Sequence, residues 1–181
     1  MEKETLYQGR FISLVREGSW EYAERSKEVT GIVAIVAHTE NDEVIFVEQY
    51  RPPCHGRVIE FPAGLVGDKK ECHSETLEAA AQRELEEETG YRAETMQFVA
   101  AGPASAGITS EVISFYLAEN VKKVGPGGGD ASEDIKVHVV PLSQAVSWLG
   151  QKVAEGLQVD VKVLAGLYIL TEQFQASRKS V

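Results

Sequence analysis

Over the first 61 residues the apolar positions fall into short runs: Leu6 to Val15, Trp20 to Arg25, Thr30 to Ala37, Val44 to Tyr50 and Val58 to Phe61. Their alternation and their content of β-branched residues predict strands. The third run, TGIVAIVA, has almost no polar position, so it is expected to be covered on both faces. Glu40-Asn41-Asp42-Glu43 predicts the turn of a hairpin between the third and fourth runs. The period then changes. Residues 74–89, SETLEAAAQRELEEET, are helix formers almost throughout, with Ser74 as the expected N-cap and Gly90 just past the end. Strands are expected again at Gln97 to Ala101, Val112 to Ala118 and Ile135 to Val140. Two helices follow, at about Ser143 to Glu155 and Val159 to Phe174, before a polar tail. There is no internal repeat. The expected fold class is α/β (α+β), a mixed sheet flanked by helices, with strands and helices not in strict alternation.

Composition narrows what such a fold can do. The chain has 181 residues, enough for one domain with at most a small appendage, and 28 Asp+Glu against 18 Lys+Arg give a formal charge of -10. That balance argues against nucleic acid or an anionic membrane as partner, because both require Lys and Arg to neutralise phosphates. No stretch approaches the ~18 consecutive apolar residues of a membrane span, and MEKETLYQGR lacks the apolar core of a signal peptide, so a cytoplasmic location is expected. Cys54-His55 and Cys72-His73 raise the question of zinc, but neither pair has the usual ligand spacing, and ordinary loop residues are the better reading. The segment Gly125-Pro126-Gly127-Gly128-Gly129-Asp130 reads equally as a mobile connection or as a lid. A phosphate cradle is disfavoured there, since no Gly-Lys-Ser/Thr follows.

The chemistry concentrates in the first helix. Residues 75–88 hold six glutamates and one arginine, a net of -5. Glu84, Glu87 and Glu88 stand at i, i+3 and i+4, on one face, where like charges repel. Arg83 can bridge Glu87 but cannot neutralise four glutamates. Such a run is either a solvated acidic face or a site for a hard divalent cation with oxygen ligands, such as Mg2+. The full pattern favours the cation: Glu75, seven residues, Arg83-Glu84-Leu85, one residue, Glu87-Glu88, one residue, Gly90-Tyr91. From Arg83 onward it would arise by chance at roughly one in 10^5. It resembles the Nudix box, G-x5-E-x7-R-E-U-x-E-E-x-G-U, of the Nudix hydrolases. The opening glycine is absent, its place falling at Lys69. Gly64, in Glu60-Phe61-Pro62-Ala63-Gly64, comes five residues too early, so residues 65–74 carry an insertion that includes Cys72 and His73.

The resemblance implies a Nudix fold, with the mixed sheet sandwiched between helices and extra antiparallel strands at the N-terminus. It implies metal-dependent hydrolysis of a nucleoside diphosphate linked to a second group, with Mg2+, or Mn2+ in its place. The metal positions carry over to Glu84 and Glu88, helped by Glu87 and the carbonyl of Ala63; Arg83 is expected to hold Glu87. Glu48-Gln49-Tyr50-Arg51-Pro52-Pro53 is similar to the Q-Y-R-x-P of the ADP-ribose and nucleoside diphosphate sugar pyrophosphatase branch, which places Arg51 at the substrate's phosphates. Trp20-Glu21-Tyr22 and Arg25 resemble that branch's dimer-crossing strand, so Trp20, Glu21, Arg25 and Phe11 become candidates for the nucleobase, although a plain dimerisation strand reads the same way. Ser105-Ala106-Gly107-Ile108-Thr109-Ser110-Glu111 resembles its S-P-G-x-T-S-E, with Ala106 where proline is usual. The general base is expected at Glu133, with Asp130 and Glu111 in reserve. The implied protein is a homodimer acting on a small molecule such as ADP-ribose or GDP-mannose. Its residues divide into 1–28 (dimerisation and base clamp), 29–174 (hydrolase) and 175–181 (loose tail). Dinucleoside polyphosphate hydrolysis, or sensing of ADP-ribose without cleavage, stands as the alternative.

Overall fold

The structure, a computed structural model, describes residues 2–26, 29–67, 74–129 and 133–178. Strands β1 (Lys3–Gln8), β2 (Ile12–Glu17) and β3 (Trp20–Arg25) form a separate antiparallel sheet. The single strand expected from Leu6 to Val15 is therefore two. Gly9 turns the chain: its N–H donates to the Ile12 carbonyl at 2.9 Å, and a Cβ there would stand 2.6 Å from the same oxygen.

Nine further strands make a mixed sheet: β4 (Gly31–Thr39), β5 (Glu43–Arg51), β6 (Gly56–Glu60), β7 (Ala63–Val66), β8 (Tyr91–Arg92), β9 (Thr95–Pro103), β10 (Val112–Lys123), β11 (Lys136–Pro141) and β12 (Gln158–Val159). The path runs β12-β6-β5-β4-β10-β8, with β11 joined to β5, β7 to β4 and β9 to β10. The β4–β10 and β6–β12 pairs are parallel. The predicted hairpin joins β4 to β5, its turn held by Asp42, whose N–H donates to the Thr39 carbonyl. Strands β7, β8 and β12 escape a reading of the pattern because two to four residues cannot display a period.

Strand β4 is the axis of the core. Val33 to Ala37 are all 0% exposed, as the unbroken apolar run requires. Val33, Ile35 and Ala37 pack with Ala80, Ala81 and Leu85 of α1 (Leu77–Thr89). Ala34 and Val36 face the opposite way, into Phe46, Phe61, Leu149 of α2 (Ala145–Ala154) and Val163, Leu167 and Leu170 of α3 (Val161–Arg178). The sheet is thus covered by helices on both faces. Trp148 of α2 stacks on Phe46, with ring centroids 5.5 Å apart, and belongs to this core as its apolar neighbours Val146 and Leu149 suggest.

Two helix boundaries differ from expectation. Helix α1 is capped by Thr76 instead of Ser74, the Thr76 hydroxyl accepting the Ala79 N–H at 3.1 Å, while Glu75 is drawn into ion pairs described below. Helix α3 continues to Arg178, past the boundary expected at 174. No helix among the described residues is long and apolar enough to cross a membrane.

Gly166 lets α3 approach the sheet. A Cβ there would lie 2.3 Å from Cε2 of Phe61 and 2.8 Å from Cγ2 of Val36, both core atoms. Gly166→Ala should gain about 1 kcal/mol in helix propensity but lose about 1–3 kcal/mol to overpacking. A net loss of about 1 kcal/mol is expected, read as a lower urea midpoint. A raised midpoint would show that the overpacking term is the smaller one.

Candidate active site

Helix α1 lies against β7, and its acidic face meets the strand at a glycine. A Cβ on Gly64 would stand 2.1 Å from Cδ of Glu84 and 2.6 Å from its Cγ, so a larger residue would displace this carboxylate from its present position. Glu88, 3% exposed, accepts a hydrogen bond from the Ala63 N–H at 3.2 Å. Arg83 grips more than Glu87. Its Nε and Nη2 donate to the two oxygens of Glu75 at 3.0 and 3.1 Å, its Nη1 to Glu84 at 2.7 Å and to Glu87 at 3.2 Å. Burial opposes the guanidinium charge, but the bonds to Glu75 and Glu84 outweigh it and hold Arg83 firmly protonated.

Glu88 is in the opposite situation. Burial, then the charge of Glu84, then those of Glu133 and Glu60 push its carboxyl up to about 9, with the Ala63 N–H working the other way. Glu60, Glu84, Glu88 and Glu133 therefore share one region, although they come from β6, α1 and the segment before β11. Glu133 reaches it beside Gly129, whose added Cβ would stand 2.3 Å from Glu133 Oε2. Of the reserve bases, Glu111 is committed to Arg25 at 2.6 Å, and Asp130 lies outside the described residues. Among the described residues no three His, Cys, Asp or Glu groups close around one point as ligands; Glu84, for one, is turned onto Arg83.

The glycine-rich segment is docked on the end of α1. Gly90 closes the helix in the left-handed conformation (φ 71°), and Gly127 (φ 69°) packs against it so closely that a Cβ would stand 2.3 Å from the Thr89 carbonyl carbon. The N–H groups of Gly128 and Gly129 donate to the carbonyls of Glu88 and Glu87 at 2.8 and 3.0 Å, and Lys123 Nζ donates to that of Thr89 at 2.8 Å. These donors serve carbonyls that a helix end leaves unpaired.

Arg51, at the end of β5, donates through Nε to Glu60 at 2.7 Å. The two stand between strand and helix, since Arg51 also feels the charges of Glu88 and Asp160. In the N-terminal sheet, Trp20 is 60% exposed and lines a cavity of about 420 Å³ with Glu17, Tyr22, Ala106, Gly107, Thr109 and Ser110. Two main-chain bonds, Ala23 N–H to Ile108 carbonyl at 2.8 Å and Ser110 N–H to Ala23 carbonyl at 3.1 Å, seat β3 on the 105–111 loop of the same chain. The other N-terminal candidates are elsewhere. Strand alternation turns Glu21 away from Trp20, onto Arg16 at 2.8 Å, and the carboxylate lining the cavity is that of Glu17. Phe11, 63% exposed, is in the β1–β2 turn under Arg10. Cys54 is exposed with a free thiol, and Cys72 and His73 lie outside the described residues.

The sequence pattern of the NUDIX domain matches residues 29–160. The chain belongs to the Nudix family. It is 33% identical over 150 residues to the ADP-ribose pyrophosphatase of Bacillus subtilis (strain 168), covering 80% of this chain and 78% of that one. It is also 34% identical over 123 residues to the methanol dehydrogenase activator of Bacillus methanolicus, covering 67% of this chain but only 64% of the relative's length. A crystal structure described as an ADP compounds hydrolase has the same fold, with a TM-score of 0.75 at 18% identity over 98% of this chain and 94% of that one. Within this Nudix chain, Glu60, Glu75 and Glu17 are residues of the candidate site that reading the sequence did not assign to it. The first two stood inside recognised motifs, but nothing in spacing says that Glu60 reaches Arg51 or that Glu75 grips Arg83.

The buried carboxyl group makes the stability of the metal-free Nudix domain depend on pH. With an ordinary value of 4.5 unfolded and about 9 folded, Glu88 binds more proton in the folded state between these limits. Its contribution is complete below the lower value and lost as pH rises through the upper one. In EDTA, the urea midpoint should fall from about pH 5 to about pH 9 more steeply than in Glu88→Gln, whose amide does not titrate. Parallel curves for the two proteins would show that Glu88 is ionised throughout.

Proposed function

We propose that the protein hydrolyses the pyrophosphate bond of a nucleoside diphosphate sugar, with ADP-ribose the preferred substrate, giving nucleoside monophosphate and sugar phosphate. The observation that carries this reading is the gathering of three carboxyl groups around that of buried Glu88, an arrangement whose joint ionisation is unfavourable without a compensating cation. The residues fit a hard divalent ion. All the donors are oxygens, and Gly64 leaves room for Glu84 where any side chain would fill it. Glu84, Glu87 and Glu88, with the carbonyl of Ala63, would hold Mg2+, with Mn2+ as a substitute. Such an ion, when bound, neutralises phosphate charge and acidifies water.

The chain's own residues supply the rest. Arg83 orients Glu84 and Glu87 from a fixed fork, itself anchored by Glu75. Arg51 is oriented by the bond from its Nε to Glu60, and its terminal nitrogens would meet a phosphate oxygen pair. Glu133 takes the proton of the attacking water, and its placement among the carboxylates supports that role over Glu111. Trp20, in its cavity beside Glu17, would stack on the nucleobase, and the name of the Bacillus subtilis relative supports ADP-ribose as the ligand. Tyr7, Ile12, Leu14 and Trp20, all exposed on the N-terminal sheet, support assembly as a homodimer through that region.

The test compares kcat/KM in Mg2+ for ADP-ribose, GDP-mannose, UDP-glucose and a dinucleoside polyphosphate. ADP-ribose should lead, with release of AMP. Glu87→Gln and Glu88→Gln should each lower turnover by about a hundredfold or more with the fold intact. Tight ADP-ribose binding without AMP release would identify a sensor instead. Turnover of the dinucleoside polyphosphate alone would move the substrate while leaving the reaction class in place.

A further inference from the structure

A buried network outside the carboxylate cluster ends on the residue next to the base. Glu48 of β5, 6% exposed, accepts from His138 Nε2 of β11 at 2.8 Å and from Arg57 Nε of β6 at 2.6 Å. Burial works against its charge, but these two bonds outweigh it and hold the carboxyl below its ordinary value. Arg57 is the member of this group that looks outward. Its Nη1 donates to Asp134 Oδ2 at 2.7 Å and its Nη2 to the Asp134 carbonyl at 3.2 Å. A single guanidinium therefore ties the core of the sheet to both the side chain and the backbone of the residue after Glu133.

The other side of Glu133 is tied as well. Gly128 and Gly129 are bonded to the carbonyls of Glu88 and Glu87, and the Glu133 side chain leans on Gly129. From these two attachments we propose that Arg57 and Asp134 are positioning residues for Glu133, fixing the C-terminal flank of the base while the glycine segment on α1 fixes the N-terminal one. Arg57 acts by geometry, not by charge. The Glu48–Arg57 pair sets the guanidinium, and its remaining two donors set the backbone at Asp134. Because Asp134 is 83% exposed at its side chain, it has no packing role that would explain the contact. The proposal rests on reading Glu133 as the base.

The experiment is a double-mutant cycle on the full chain, with ADP-ribose and Mg2+. Asp134→Ala should lower kcat about fivefold with KM and melting temperature unchanged, as expected when one exposed pair that orients a catalytic group is lost. Glu133→Gln should be severely impaired, and the double variant no slower than Glu133→Gln alone, because Asp134 acts only through Glu133. Arg57→Lys keeps a positive charge beside Glu48 but not the fork. It should melt like the parent and lose kcat as Asp134→Ala does. An impaired Glu133→Gln with losses that add in the double variant, or full kcat in Asp134→Ala or Arg57→Lys, would overturn the positioning role and leave the base assignment standing. Full activity in Glu133→Gln would remove the base assignment, and the positioning role with it.

Discussion

Burying the carboxyl group of Glu88 among other acids is the constraint on which the surrounding structure turns. A charge so placed costs several kcal/mol unless it is neutralised or paired. Its ionised form is favoured by the Ala63 N–H, a single hydrogen bond, and by the more distant charge of Arg51. The arginine nearest along the helix does not serve it, because Arg83 is occupied by Glu75, Glu84 and Glu87. Arg51 is engaged by Glu60. Among the described residues, Arg83 and Arg51 are thus hydrogen-bonded to other acids, while Glu88 bears the cost of burial.

That arrangement depends on a rigid backbone, and β4 provides it. Its alternating side chains serve two cores, one under α1 and one under α2 and α3, so the strand cannot slip by one residue without exchanging every contact. β7 is paired to β4 from Ala63 to Val66, which fixes Gly64 and the Ala63 N–H relative to the sheet. Leu85, 0% exposed, fixes the α1 face from the other direction. Glu84 and Glu88 bracket Leu85 in the sequence, so the residue that buries the helix also sets the height of its carboxylates.

Much of this was legible in the residues themselves. The period change at residue 74, the apolar run of β4 and the Arg83-Glu84-Leu85-x-Glu87-Glu88 spacing each follow from local rules that one segment can express alone. What could not be read are partnerships between segments. Glu60 and Arg51 are nine residues apart and meet because β5 and β6 are neighbours. Glu75 looked like the start of a helix and instead stands outside it, pulled onto Arg83. Glu17 stands beside the cavity where Glu21 was expected, because the face of an edge strand is set by pairing, and β2 contributes as much to it as β3 does. The glycine run was open between a free connection and a lid. Its backbone bonds to α1 are made by groups that every sequence carries, so composition could not announce them.

The pairing of β7 on β4 and the Thr76 cap of α1 also bear on the six-residue stretch, 68–73, that separates them from one another. Gly64 and Glu84 are locked together by direct contact, Ala63 and Glu88 by a hydrogen bond, and Arg83 reaches back to the Leu65 carbonyl. Among the described residues, these ties across the candidate carboxylate site span the space between strand and helix. The register of the acids is therefore held by contacts from Ala63, Gly64 and Leu65 to the helix. Doubling a loop costs only about 0.6 kcal/mol in closure entropy. A longer connection here therefore carries a small entropic cost while those contacts stay in place.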